Sequence, residues 1–347
     1  MKILKQHQLA INFSLLIILS AGMSYLIYKG SGATNVLSLL ASMDRRFLLL
    51  AVVFFIMFRL MEGLSFYYLF KSMPMTVSLF NCIKYSMMGY FFSQVTPSGG
   101  GGQPAQFYLM KQDGIPLSKA VSVIVPFNLI YHMSFSFFGL LALLSPLRQI
   151  ILSSQVRVFF YIGLAIQLFL SLVTMLAIKK TSTLSQGLIY LSEKTKHWPL
   201  IRRFYQTPER IEASVQTTKA NLMTVIKSKR NIVSMLVLQT VMLFFYYGIA
   251  YCSYRALGFN NYRLLDIIAI QCLITVATEY MPTPGTAGFA ELSMYAIYQK
   301  LVPTQVAVSW MLVNRLLMLY LAMGVTLLMI RRRQLNVAEL SKQFNNF

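Results

Sequence analysis

Apolar residues in this chain come in long blocks and do not alternate. Six blocks, approximately 9 to 28, 47 to 70, 118 to 145, 158 to 178, 232 to 254 and 305 to 330, are near or above the ~20 residues a helix needs to cross a ~30 Å hydrocarbon core. Two shorter blocks, 79 to 95 and 264 to 281, stop at Pro-Gly breaks. As a helix, the segment 80 to 95 rises only ~24 Å, so it can end within a bilayer. The pattern predicts an all-α integral membrane protein with about six full transmembrane helices plus two re-entrant helical hairpins.

The breaks read "TPSGGGGQP" (96 to 104) and "MPTPGTAGFAELS" (281 to 293). Irregular backbone at membrane depth is tolerated only where it is buried in protein or lines a wet cavity. Gly99, Gly100, Gly101 and Gln103 with Gly102 therefore have two readings. Either the glycines take positive φ and approach a ligand closely, or they let two half-helices pack tightly. Pro104 suits the first position of a new helix, whose free N–H groups and positive dipole end would favour a phosphate or another anion. The loop lacks the Gly-Lys-Ser/Thr ending of a Walker motif, so ATP hydrolysis is not expected.

Sliding the chain by 187 residues lays 96 to 122 over 283 to 309 without a gap, with 9 of 27 positions identical, among them Thr96/Thr283, Pro97/Pro284, Gly101/Gly288 and Pro116/Pro303. Such self-similarity predicts a first repeat over 46 to 145 and a second over 231 to 330, within one polytopic domain spanning 1 to 347.

The composition agrees with a membrane protein: 56% hydrophobic, 12% charged, mean hydropathy +0.60. A net charge of +21 would suggest nucleic acid in a soluble protein, but here the positive-inside rule accounts for it. Placing the N-terminus, 71 to 119, 179 to 230 and the tail on the cytoplasmic side collects 21 of the 31 basic residues there and leaves 8 outside. Both termini are then cytoplasmic, no nucleic acid partner is expected, and the two hairpins enter from opposite sides as inverted repeats. The basic tip of the N-terminus raises a cleaved signal peptide; the length of the apolar stretch favours an uncleaved helix. The 179 to 230 loop, with 11 basic and 3 acidic residues, either attracts anionic inner-leaflet lipids or is an ordinary positive-inside loop. Cys82, Cys252 and Cys272 lack partners at metal or CxxC spacing and read as small core residues; no metal or cofactor is expected.

Ionisable residues inside spans are few, and such residues commonly face a bundle interior or a pathway. Arg59 and Glu62 lie three apart and can pair, as a structural pair or as substrate contacts. Glu279 precedes the second break. With Gly288 as N-cap and Gly285 shaping the tip, Glu291 falls at the third helical position, where it can cap free amides or face a cavity. Arg315, beside Asn314, is its expected partner. The position matching Arg315 in the first repeat is Asn128, near His132, which can take up a proton near neutral pH or serve as packing.

"TPSGGGGQPAQFYLMKQDGI", "MPTPGTAGFAELS" and the following "NR" resemble the transmembrane-region family of lysylphosphatidylglycerol synthases, over roughly residues 10 to 330. By this resemblance Gly101, Gly102, Gln103 and Pro104 match a Gly-Gly-Glu/Gln-Pro signature, Glu291 a Gly-x-Glu motif and Arg315 the arginine of the last helix. Gln103 stands where many members have Glu, and Thr286 and Ala287 depart from a Pro-Gly-Gly-x-Gly loop. The resemblance implies a bacterial cell-membrane lipid flippase moving an aminoacylated or other anionic phospholipid, such as lysylphosphatidylglycerol, or a glycolipid. The alternatives are a phosphatidylglycerol lysyltransferase and a non-transporting partner of a separate lipid-modifying enzyme. The 17 residues after the last span are too few for the family's soluble aminoacyltransferase domain, so a free-standing membrane part is expected.

Overall fold

The computed structural model describes residues 8–73, 75–152, 155–180, 186–187, 189–190, 193–194 and 208–332. Their regular structure is helical, with a single isolated antiparallel bridge between Pro97 and Pro284. Among the described residues six helices are long and apolar enough to cross a membrane, and the protein is an all-α integral membrane protein.

In chain order the helices are α1 (Gln8–Gly30), the short α2 (Val36–Ala41), α3 (Arg45–Lys71), α4 (Leu79–Val95), α5 (Gly102–Gln112), α6 (Leu117–Ala142) and the short α7 (Arg148–Leu152). There follow α8 (Val156–Lys179), α9 (Pro208–Ile226), α10 (Lys229–Ala256), α11 (Leu264–Thr278) and α12 (Phe289–Tyr298). The last span consists of α13 (Thr304–Arg315), a π-helical turn (Leu316–Tyr320) and α14 (Leu321–Arg332). Their starts follow local chemistry: Asp44, Ser78 and Ser228 accept main-chain N–H groups at the N-termini of α3, α4 and α10, the usual use of a short polar side chain there.

The 187-residue offset reappears in the element boundaries. The starts of α5 and α12, at 102 and 289, and of α6 and α13, at 117 and 304, differ by that amount. Helices α3 and α10, which correspond under the offset, lie antiparallel. Tyr68 donates to Asn231 (3.1 Å) at one end, Asp44 N–H to Ala256 C=O (2.8 Å) at the other, and Phe54 meets Phe245 edge-on (5.1 Å) between them. Gly248 makes this approach close, since a Cβ there would come within 2.6 Å of the Phe54 ring; small residues play this part wherever spans must pack without a hydrophobic driving force.

Two apolar clusters fill the interior. One is built mainly from the second half, around Tyr247, Ile270 and Trp310; the other from the first, around Phe66, Phe92 and Met110. Outward positions on the long helices, such as Leu49, Val53 and Ile56 of α3 and Phe169 and Leu172 of α8, are exposed and apolar, as a lipid-facing surface requires. Helix α9 docks on α6, where Ser122 donates to Thr218 C=O (3.4 Å), and buries Leu222 and Val225. Its exposed positions are mostly small and uncharged; the exposed basic residues Lys227, Lys229 and Arg230 follow it. Positions 181–185, 188, 191–192 and 195–207 of the basic loop lie outside the described residues.

Candidate functional site

The second break brings the charged residues together. After α11, Gly285, Thr286 and Gly288 take φ values of +54°, +54° and +87°, so the chain reverses and α12 begins at Phe289. Glu291 therefore sits at the third helical position. Its Oε2 accepts the Gly288 N–H (2.7 Å), while its Oε1 accepts Arg315 Nε (2.7 Å) and the Ser20 hydroxyl of α1. Arg315 also donates from Nη2 to Gly285 C=O (3.1 Å), and Tyr320 donates to Ser20 (2.9 Å). Glu291 is 0% and Arg315 6% exposed. Capping and ion pairing are thus both realised by one carboxylate.

A buried pair of this kind holds because its remaining hydrogen-bonding capacity is also filled. Directly after Arg315 the helix widens into the π turn, a local defect common at functional positions. Tyr90 of α4 donates to the Met318 carbonyl (2.6 Å) within that turn.

Arg315 and Tyr90 face a common cavity. Its polar wall comprises Tyr90 and Gln94 from α4, Tyr246 from α10, Gln271, Thr275 and Thr278 from α11, and Glu279, Thr286 and Arg315; Ile274, Ala290, Met294, Met318 and Leu319 complete it. About 50 Å³ is open to the centres of water-sized molecules, enough for a few waters at ~10–15 Å³ each and too little for a lipid headgroup.

Arg59 and Glu62 do pair, at 2.7 Å. Arg59 is 3% exposed, donates from Nη2 to the carbonyl of Ser86 (2.6 Å) and also to its hydroxyl, and lies 4.6 Å from the Tyr90 ring centroid and 4.7 Å from that of Phe58. Through Arg59 the pair packs on Tyr90, which itself lines the cavity.

At the first break the packing alternative describes two of the four glycines. Gly99 (φ +70°) is the only one of its four glycines with positive φ, next to Ser98 at +52°. Gly99 and Gly100 are exposed, whereas Gly101 and Gly102 are buried in the contact between α4 and α5. A Cβ on Gly101 would come within 2.6 Å of Thr96, and one on Gly102 within 2.9 Å of the Gly89 carbonyl. Close packing is therefore the work of these two positions. Two amides at the entry to the helix are occupied: Gly101 N–H donates to Thr96 Oγ1 (2.8 Å) and Gly102 N–H to Gly99 C=O (3.2 Å). Helix α5 starts at Gly102, which places Pro104 at its third position and not its first; this is tolerated because first-turn N–H groups have no intrahelical acceptor. Gln103 is exposed, and none of Gly99 to Pro104 lines the cavity described above.

Asn314 points away from Glu291. It donates to Tyr298 (2.6 Å) and accepts from Ser253 (2.8 Å), in a network that continues from Tyr298 to Gln271 (2.6 Å). His132 Nδ1 lies 3.4 Å from the Tyr280 hydroxyl, which also bonds Gln167, and Asn128 is half-buried on α6. Neither His132 nor Asn128 lines the cavity. Among the described residues no group of three or more His, Cys, Asp or Glu is placed to hold a metal, and the three cysteines are free and buried.

Sequence reasoning missed Ser20, Tyr90, Gln94, Tyr246, Thr275 and Thr278. Uncharged polar side chains are ordinary within spans, so only their convergence marks them out.

A profile of the lysylphosphatidylglycerol synthase TM region matches residues 12–325. A "UPF0104 membrane protein" of Archaeoglobus fulgidus is 21% identical over 297 residues, covering 84% of this chain and 87% of the relative. The chain therefore belongs to the lysylphosphatidylglycerol synthase transmembrane-region family.

Proposed function

We propose that this protein is a lipid translocase of the bacterial cell membrane, moving an aminoacylated or other anionic phospholipid between leaflets, with lysylphosphatidylglycerol the first candidate to test. The observation that carries this reading is the buried Glu291–Arg315 pair at the edge of a small polar cavity, where two broken helices meet. A guanidinium held by a carboxylate can exchange it for a phosphate, because both anions accept the same forked donors. Arg315 then binds the headgroup phosphate while Glu291 keeps the Gly288 amide.

The antiparallel course of α3 and α10, and the bridge between the corresponding residues Pro97 and Pro284, support two inverted repeats with re-entrant tips at the midplane, an arrangement suited to alternating access. Because the cavity is too small for a headgroup, substrate admission requires the tips to part. The charge distribution supports cytoplasmic termini, and Lys227, Lys229 and Arg230 support contact with anionic lipid.

Proteoliposomes with labelled phosphatidylglycerol, lysylphosphatidylglycerol and glycolipids provide the test. The wild type moves at least one of them, and Glu291→Gln and Arg315→Ala slow that movement at least tenfold; unchanged rates in both variants would falsify the site. The family's name also raises lysyl transfer from lysyl-tRNA to phosphatidylglycerol. Product formation by the purified chain would replace the transport reading.

A further inference from the structure

The cavity wall carries two charged side chains, and one of them is neutralised. Arg315 is bound to Glu291, which is fully buried. Glu279 also lines the cavity, yet its carboxylate has no ion-pair or hydrogen-bonding partner among the described residues. Glu279 is half-buried, and one negative charge therefore remains uncompensated in a cavity between packed spans, where an isolated ion is disfavoured.

The neutral groups around Glu279 are rich in acceptors. Thr275 and Thr278 precede it on α11 by four residues and by one, and Thr286 faces the same cavity from beyond the break. Thr275 Oγ1 donates its hydrogen to Gln271 C=O (2.8 Å) and accepts a long bond from Gln271 Nε2 (3.4 Å), while Thr278 Oγ1 donates to Ile274 C=O (3.0 Å) and Thr286 Oγ1 to Gly285 C=O (2.7 Å). A hydroxyl with its hydrogen committed presents only oxygen lone pairs. The Tyr90 hydroxyl is committed in the same way to Met318. The C-terminus of α11 adds its negative dipole end at this point.

We propose that this cavity binds one small monovalent metal cation, sodium, through the Glu279 carboxylate and the hydroxyl oxygens of Thr275, Thr278 and Thr286, with water completing the shell. Hard cations select such all-oxygen sets. A proton on Glu279 would serve a single acceptor, whereas the Thr278 and Thr286 oxygens both lack a donor among the described residues and Thr275 has only the long bond from Gln271. A divalent ion would leave net positive charge facing Arg315. Because Thr275 and Thr286 lie on opposite sides of the break, an ion bound to both ties α11 to the tip. Occupancy is thereby coupled to the movement of the tip that substrate admission needs. The coupling rests on the translocase reading; the ion site does not.

The test uses purified full-length protein in nanodiscs. Radioactive sodium binds and is displaced by unlabelled sodium better than by potassium, and sodium chloride raises the melting temperature by several degrees over choline chloride at equal ionic strength. Glu279→Gln abolishes both effects, while Thr275→Val and Thr286→Val, which keep side-chain volume, weaken binding several-fold. Should Glu279→Gln fold poorly, Glu279→Asp reads the same site as an altered sodium affinity. No sodium effect in the wild type, an undiminished effect in Glu279→Gln, or equal stabilisation by ethylammonium overturns the proposal. Lipid movement indifferent to a sodium gradient overturns the coupling and leaves the translocase standing; sodium binding without movement of any lipid does the reverse.

Discussion

The two breaks at Pro97 and Pro284 share the start of their turn and differ in chemistry. Positive φ falls at Ser98 and Gly99 in one and at the corresponding Gly285 and Thr286 in the other, so glycine changes place while this part of the turn does not; the backbones separate at Gly288 (+87°) and its counterpart Gly101 (−84°). Matching main-chain bonds, Gly99 to Thr96 and Thr286 to Thr283, close both. Beyond the turn they diverge. The first break continues through Gly101 and Gly102 into a tight contact between α4 and α5 and carries no charge. The second carries Glu291, whose counterpart is Pro104, and is clamped by Arg315, whose counterpart is Asn128. A repeated turn is a geometric device; the charge that gives it a chemical use was placed in one copy only.

The largest effect that can test this contrast comes from the clamp. Arg315→Ala strands a buried carboxylate and is expected to lower stability by about 3–5 kcal/mol, whereas Asn128→Ala changes it by less than about 0.5 kcal/mol; chemical denaturation in micelles measures both. Replacing the pair together, Glu291→Leu with Arg315→Met, restores most of that stability without restoring lipid movement. Recovery of movement would make the pair structural.

A smaller loss sharpens the reading of the first break. Gly102→Ala forces a methyl against the Gly89 carbonyl and costs about 1–3 kcal/mol as overpacking. At Gly100 the nearest atom would be 3.6 Å away and φ is not positive, so Gly100→Ala is near neutral. Equal losses at the two positions would return the whole run to a ligand-binding role.

Comparable in size, Ser20→Ala removes a hydrogen bond from the Glu291 carboxylate and should cost about 1.5–3 kcal/mol, with Arg315 still in place. The last comparison concerns access rather than stability. Ser98 is exposed and Thr286 half-buried, so a thiol reagent labels Ser98→Cys faster than Thr286→Cys; under the inverted arrangement proposed above, the first reacts from the cytoplasmic side and the second from outside. Labelling of both from one side would break the inverted arrangement.

Much of this architecture is legible in the residue pattern, because in a bilayer apolar run length translates directly into helix length. The blocks read as 47 to 70 and 79 to 95 became Arg45–Lys71 and Leu79–Val95, and Glu291 reached the third position of α12 because the Gly-x-x-Glu spacing determines it. The glycine run shows where such reading stops. Four consecutive glycines allow either positive φ or close approach, and only the position of Gly89 on a neighbouring helix selects between them at Gly102.

By itself, then, the sequence determined the spans, the two breaks and the offset that relates them, since each depends on local composition and spacing. Which side chains meet at the second break was decided by the tertiary structure. Ser20, Glu291, Arg315 and Tyr320 are brought together from α1, α12 and the last span, and Tyr90, Thr275 and Glu279 share a cavity although no local rule links them. Convergence of this kind follows from how helices pack, and packing responds to the surfaces of all of them at once.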